Sequence, residues 1–146
     1  MGNNSDDVVK YENKHKIINQ RTELSKRIET FARNNGADED MAAEMAELLS
    51  TLENGKVLAA IAAKESGFNV RAKGKVGEIG AYQVRPQFWG HPGETFKSQT
   101  EKTNQILEEL LSTCNGNLES ALEKYNGRGE KSKRYASSVL ALASKI

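Results

Sequence analysis

The chain has 146 residues, 37% hydrophobic and 28% charged, enough for one well-buried core and too few for two ordinary domains. Its 21 basic and 20 acidic residues leave a net charge of +1, with no nucleic-acid signature, and no window reaches the roughly 18 uninterrupted apolar residues of a membrane span. Cys114 is the only cysteine and the two histidines, His15 and His91, show no ligand spacing, so no disulfide, metal or cofactor is expected.

The start, Met1-Gly2-Asn3-Asn4-Ser5-Asp6-Asp7, lacks the basic start and apolar middle of a secretory signal, which points to synthesis in a cytoplasm. Residues 1–20 are rich in Asn, Asp and Lys without periodicity and read as a mobile tail, leaving residues 21–146 as one domain. A helix fits Thr22 to Asn34, with Leu24, Ile28 and Phe31 on one face and Gly36 as its stop. Asp38 caps a second, Glu39 to Leu52, whose apolar face carries Met41, Met45, Leu48, Leu49 and Leu52. Asn54-Gly55 breaks it. Val57 to Ser66 is a third helix, and its alanines mark it as close-packed and buried.

From Gly67 to Gly93 the pattern changes. Glycine recurs at 67, 74, 77, 80, 90 and 93, Pro86 and Pro92 fall here, and no helical period survives. An irregular segment of this length, with room for a short β-hairpin, is usually functional. Periodicity resumes with Ile106, Leu107, Leu110 and Leu111; Asn117 then caps Leu118 to Tyr125, and a last helix carries Tyr135, Val139, Leu140 and Leu142. Its basic residues, Lys131, Lys133 and Arg134 among them, read as a solvated face. The fold class is mainly α with one Gly-rich insertion.

Glu65 is the residue to explain. At about 100° per residue, Leu58, Ile61 and Ala62 lie within roughly 60° of it around the helix, so its carboxyl continues an apolar stripe. Partial desolvation there raises the pKa and keeps the group protonated, which is what a general acid in glycoside cleavage needs. Two polar motifs follow. In Gly77-Glu78-Ile79-Gly80-Ala81-Tyr82-Gln83 the glycines allow backbone close to a ligand, and Gln83 offers a donor and an acceptor to sugar hydroxyls. In Tyr125-Asn126-Gly127 the tyrosine either packs in the core or points its hydroxyl into a cleft and bonds the acid.

Together, Glu65-Ser66, Gly80-Ala81-Tyr82-Gln83 and Tyr125-Asn126-Gly127, followed by Tyr135 and Val139-Leu140, resemble the catalytic domain of the soluble lytic transglycosylases, relatives of goose-type lysozyme. The resemblance runs from about Val57 to Ile146 and implies a lysozyme-like helical bundle around a buried catalytic helix. It implies Glu65 as catalytic acid and base, Ser66 as the residue that positions the sugar or its N-acetyl group, Gln83 and Tyr125 as cleft residues, and Asn126 as a support. Where the family commonly has Leu-Met before the Gln, this chain has Ala81-Tyr82, so Tyr82 either alters a sugar subsite or packs. Lys124 replaces the common Ala before Tyr-Asn. Helices between 21 and 54 carry no family motif.

Two reactions compete within this resemblance. A lytic transglycosylase cuts the MurNAc–GlcNAc bond of peptidoglycan with one glutamate and closes a 1,6-anhydro ring; an inverting lysozyme needs a second carboxylate to activate water, and Glu78 is the candidate. A non-catalytic wall-binding or virion protein is the alternative of another class. The Ala-rich approach and the Gly-Glu-x-Gly-x-x-Gln form resemble phage-type members. That implies a monomer made in the cytoplasm of an infected bacterium, either carried with other virion proteins or released at lysis by a holin, with peptidoglycan strands as its partner.

Overall fold

The computed structural model describes the backbone of residues 5–146 and the side chains of residues 8–10 and 23–146. Among them are seven helices: α1 (Ser5–Asn34), α2 (Glu39–Ser50), α3 (Gly55–Ser66), α4 (Pro86–Trp89), α5 (Phe96–Thr113), α6 (Leu118–Asn126) and α7 (Glu130–Ala143). The only β pairing among the described residues is two isolated antiparallel bridges, Lys73 with Ile79 and Ile79 with Val84. The fold is mainly α, as expected. No helix among the described residues is long and apolar enough to cross a membrane.

The first helix is where the sequence reading departs most. It begins at Ser5, not Thr22, so most of the segment read as a mobile tail is helical; residues 1–4 lie outside the described residues. Between 5 and 21 the chain has neither glycine nor proline to break a helix, and Lys10, Glu12, Lys14, Lys16, Gln20 and Arg21 favour one. It has no apolar stripe to betray it, and Val8 and Val9 remain about half exposed.

Helix α2 is capped as expected, with the Asp38 carboxylate accepting the Asp40 N–H at 3.0 Å. Its buried face is Ala42, Met45, Ala46 and Leu49, and Met41 stays exposed. Gly55 opens α3 because a Cβ there would stand 2.0 Å from the Leu49 carbonyl oxygen, so only glycine lets the two helices join so tightly.

Helix α3 is the centre of the molecule. Leu58, Ala59, Ala60, Ile61 and Ala62 are all fully buried, and the helix packs against α1, α2, α5 and α7. The alanines let those neighbours approach, while Leu58 and Ile61 each contribute roughly 1.5–3 kcal/mol of burial. Gly67 ends the helix at φ 64; its N–H bonds the Ala63 carbonyl and that of Phe68 bonds Ala62, both at 3.1 Å. Phe31, Phe68, Phe96 and Tyr82 then form a chain of rings with successive centroids 6.3, 6.4 and 5.8 Å apart, which ties α1 and α5 to the irregular segment.

That segment is irregular as expected, except for the one-turn helix α4. Pro86 at its first turn presets φ, and the Gly90 N–H closes it on the Pro86 carbonyl at 2.8 Å. Helix α5 starts at Phe96, well before Ile106, behind a capping box made by Thr95 and Ser98. Its first turns bury one hydrophobe, Phe96, and then Gln99, Thr100 and Thr103, which hides the helical period from an apolar count. Helices α6 and α7 fall where expected: the Asn117 side chain accepts the Ser120 N–H at 2.9 Å, and Tyr135 and Val139 point inward.

Candidate active site

The three motifs converge. Glu65 at the end of α3, Glu78, Gln83 and Arg85 from the irregular segment, and Lys124, Tyr125 and Asn126 from the end of α6 line one cleft of about 660 Å³. Val84, Gly127 and, from α4, Phe88 and Trp89 complete it.

Glu65 sits half-buried where the apolar stripe of α3 meets this cleft. Burial pushes its pKa from the ordinary 4.5 up to about 7, with a smaller push from the Glu78 charge. A hydrogen bond from Tyr135 and the charges of Lys64 and Arg85 pull the other way without cancelling it. The carboxyl is therefore half protonated near neutrality, able both to give and to take a proton. Tyr135 donates its hydroxyl to Glu65 Oε2 at 3.2 Å. Burial, and then the Glu65 charge, push the Tyr135 hydroxyl well above the usual tyrosine range, so it remains a donor.

Tyr125 does not bond the acid. Its hydroxyl donates to the backbone carbonyl of Tyr82 at 2.7 Å, and its ring stacks on Tyr135 with centroids 6.4 Å apart and planes 16° from parallel. The pair thus links the cleft wall to the acid: Tyr125 holds the wall and Tyr135 holds the carboxyl. Asn126 donates to Ser132 Oγ at 3.3 Å, which joins the end of α6 to α7.

Ser66 was expected to contact sugar. Its hydroxyl instead donates to the Ala81 carbonyl at 2.7 Å and accepts the Asn69 N–H at 3.0 Å, so it fastens the end of α3 to the irregular segment. Of the two readings of Tyr82, the structure fits packing. It is fully buried, its ring stands in the aromatic chain, and its hydroxyl shares a 2.7 Å hydrogen bond with Thr100 Oγ1, so it packs behind the cleft wall and is not among the residues that line the cleft. The turn separates the two neighbours: Tyr82 points inward, and Gln83, at a positive φ, lines the cleft.

Gln83 adopts φ 51, a left-handed conformation costing a non-glycine residue on the order of 1 kcal/mol or more, and its Nε2 donates to the Gly80 carbonyl at 2.9 Å. Glu78 accepts the Val76 N–H on Oε1 at 3.1 Å.

The residue that organises this wall had no signal in the sequence. Gln99, 1% exposed on α5, accepts the Ala81 N–H on Oε1 at 2.9 Å, while Nε2 donates to the Val70 and Gly93 carbonyls at 3.0 and 3.1 Å. One amide thus clamps three points of an otherwise irregular stretch. Gly80 leaves room for it, since a Cβ there would come within 2.5 Å of the amide. Arg85, Phe88 and Trp89 were also missed as cleft residues, though they directly follow the Gln83 motif.

A mainly helical domain with a protonatable carboxyl at the end of its central helix, facing a polar cleft, defines a lysozyme-like class of protein. The particular family follows from the sequence: the Transglycosylase SLT domain matches residues 42–145, and the chain belongs to that family. The match begins within α2, earlier than the motifs at 57 and beyond had indicated. No curated protein and no solved structure matches the chain. Membership supports an activity of the peptidoglycan lytic transglycosylase type.

Proposed function

We propose that the chain cleaves the MurNAc–GlcNAc β-1,4 bond of peptidoglycan as a lytic transglycosylase, with Glu65 acting first as acid and then as base. The observation that carries this reading is a single carboxyl raised to about 7 by burial and held by Tyr135 at the cleft. In the first step Glu65 gives its proton to the glycosidic oxygen as the bond from MurNAc C1 breaks. The resulting carboxylate then takes the proton of the muramoyl O6 as that oxygen bonds C1, which closes the 1,6-anhydro ring and restores the acid. No water is consumed. Gln83 and Tyr125 line the sugar path, and Ser66 and Asn126 position the elements that carry it.

The inverting-lysozyme reading keeps one supporting observation, that Glu78 lines the same cleft and its charge bears on Glu65. There Glu78 would activate a water. The Gly-Glu-x-Gly-x-x-Gln form supports a phage lytic enzyme, carried in a virion or released at lysis. Mass spectrometry of digested peptidoglycan separates the reactions: anhydromuramoyl ends mean transglycosylase, and reducing ends carrying one water more mean hydrolase. Glu65→Gln is expected to lose activity by at least about 10³-fold with the fold intact. An active, folded Glu65→Gln protein would overturn both readings.

A further inference from the structure

We infer that Phe88 is a stacking platform for one sugar ring of the bound strand, an assignment that rests on the cleft being a glycan site. At 68% exposure Phe88 is the most exposed large hydrophobic residue among those described. A lone exposed phenylalanine on a convex surface needs no explanation. This one lines the cleft that holds Glu65, whose other walls are mostly polar or charged, with Glu78, Gln83, Arg85 and Lys124 among them.

The backbone holds it there on purpose-built terms. Helix α4 is one turn, opened by Pro86 and closed by the Gly90 N–H on the Pro86 carbonyl at 2.8 Å. Residues 88 and 89 project about 100° apart. Trp89 is half-buried and packs against the core as well as lining the cleft, so it anchors the turn beside the exposed Phe88. The turn that carries the ring is thus anchored, and the described residues leave the ring largely uncovered.

A β-linked pyranose has the complementary shape. Its flat face shows axial C–H groups and is apolar, while its hydroxyl and N-acetyl groups radiate from the rim. A phenyl ring covers the face, and the polar walls of the cleft meet the rim. With no polar tip, Phe88 reads flatness rather than hydrogen bonding.

The chain reports on this itself, because Trp89 is its only tryptophan and is the next residue. Full-length wild-type protein titrated with β-1,4-linked GlcNAc oligomers should show saturable binding by calorimetry and by Trp89 fluorescence. Phe88→Ala should weaken it about 3- to 10-fold at an unchanged melting temperature. Phe88→Tyr should restore it and Phe88→Leu should not. On peptidoglycan the alanine variant should raise KM by a similar factor and leave kcat in place. Equal affinity in wild type and Phe88→Ala, or full rescue by leucine, overturns the platform while the glycan reading stands. If wild type neither binds the oligomers nor degrades peptidoglycan, the glycan reading falls and the platform with it.

Discussion

Helix α3 and the irregular segment that follows it meet at Glu65, yet different forces hold them. The helix stays in place through apolar burial, with five consecutive residues from Leu58 to Ala62 wholly out of solvent. The segment buries little beyond Ala81, Tyr82, Val84 and Phe68, and is pinned by side chains reaching into its backbone: Gln99 at three points, Ser66 at Ala81 and Tyr125 at Tyr82. Burial is non-directional and tolerant of exchange at constant volume, whereas these hydrogen bonds depend on particular atoms. The acid therefore stands on a rigid base, and the wall opposite is set by a handful of polar contacts.

The contrast can be broken by emptying each side in turn. Leu58→Ala leaves a cavity in the centre of the bundle and should cost about 4 kcal/mol, lowering the protection of every helix together in hydrogen exchange. Gln99→Leu keeps the volume but strands the Ala81 N–H and the Val70 and Gly93 carbonyls. It should cost about 3 kcal/mol, with exchange at residues 80–84 speeding up while α3 amides stay protected. If both variants loosen the chain uniformly, the two regions are one cooperative unit and the distinction is lost.

That difference in forces also explains what the sequence disclosed. Apolar periodicity located α2, α3, α6 and α7, because burial is what fixes those helices, and the helical wheel of α3 aimed Glu65 at an apolar surround. It was blind to the front half of α5, whose inward face after Phe96 is Gln99, Thr100 and Thr103, and to residues 5–21, where no stripe exists. The site followed the same rule. Glu65, Glu78, Gln83, Tyr125 and Asn126 were readable from motif order and do line the cleft. Which tyrosine touches the acid was not readable, since Tyr125 and Tyr135 are both inward-facing on neighbouring helices and only their stacking decides that the second reaches Glu65. The Ser66 latch spans 15 positions, and the Gln99 clamp reaches Ala81 and Val70 across 18 and 29 positions as well as nearby Gly93, so neither leaves a local pattern.

Glu65 itself lies where the two regions join, so its stability and its titration sharpen the comparison further. Its pKa rises from 4.5 in the unfolded chain to about 7 in the folded one. Below 4.5 both states hold the proton and the site costs nothing. As pH climbs, the unfolded chain ionises first, and the folded state loses stability until the pH passes about 7. At roughly 1.4 kcal/mol per pH unit the loss approaches about 3.5 kcal/mol. Glu65→Gln, which can still accept the Tyr135 hydroxyl, should match wild type in melting temperature at pH 4 and exceed it at pH 8. Equal melting at both would mean that the carboxyl is not buried as described. The smallest effect concerns Arg85, whose charge favours the carboxylate and so lowers this pKa. If Glu65 must be protonated to act, activity falls as pH rises through about 7. Arg85→Ala should move that fall to higher pH while leaving α3 unperturbed. A limb that stays in place, or moves to lower pH, would detach the pH profile from Glu65 and assign it to another group in the wall.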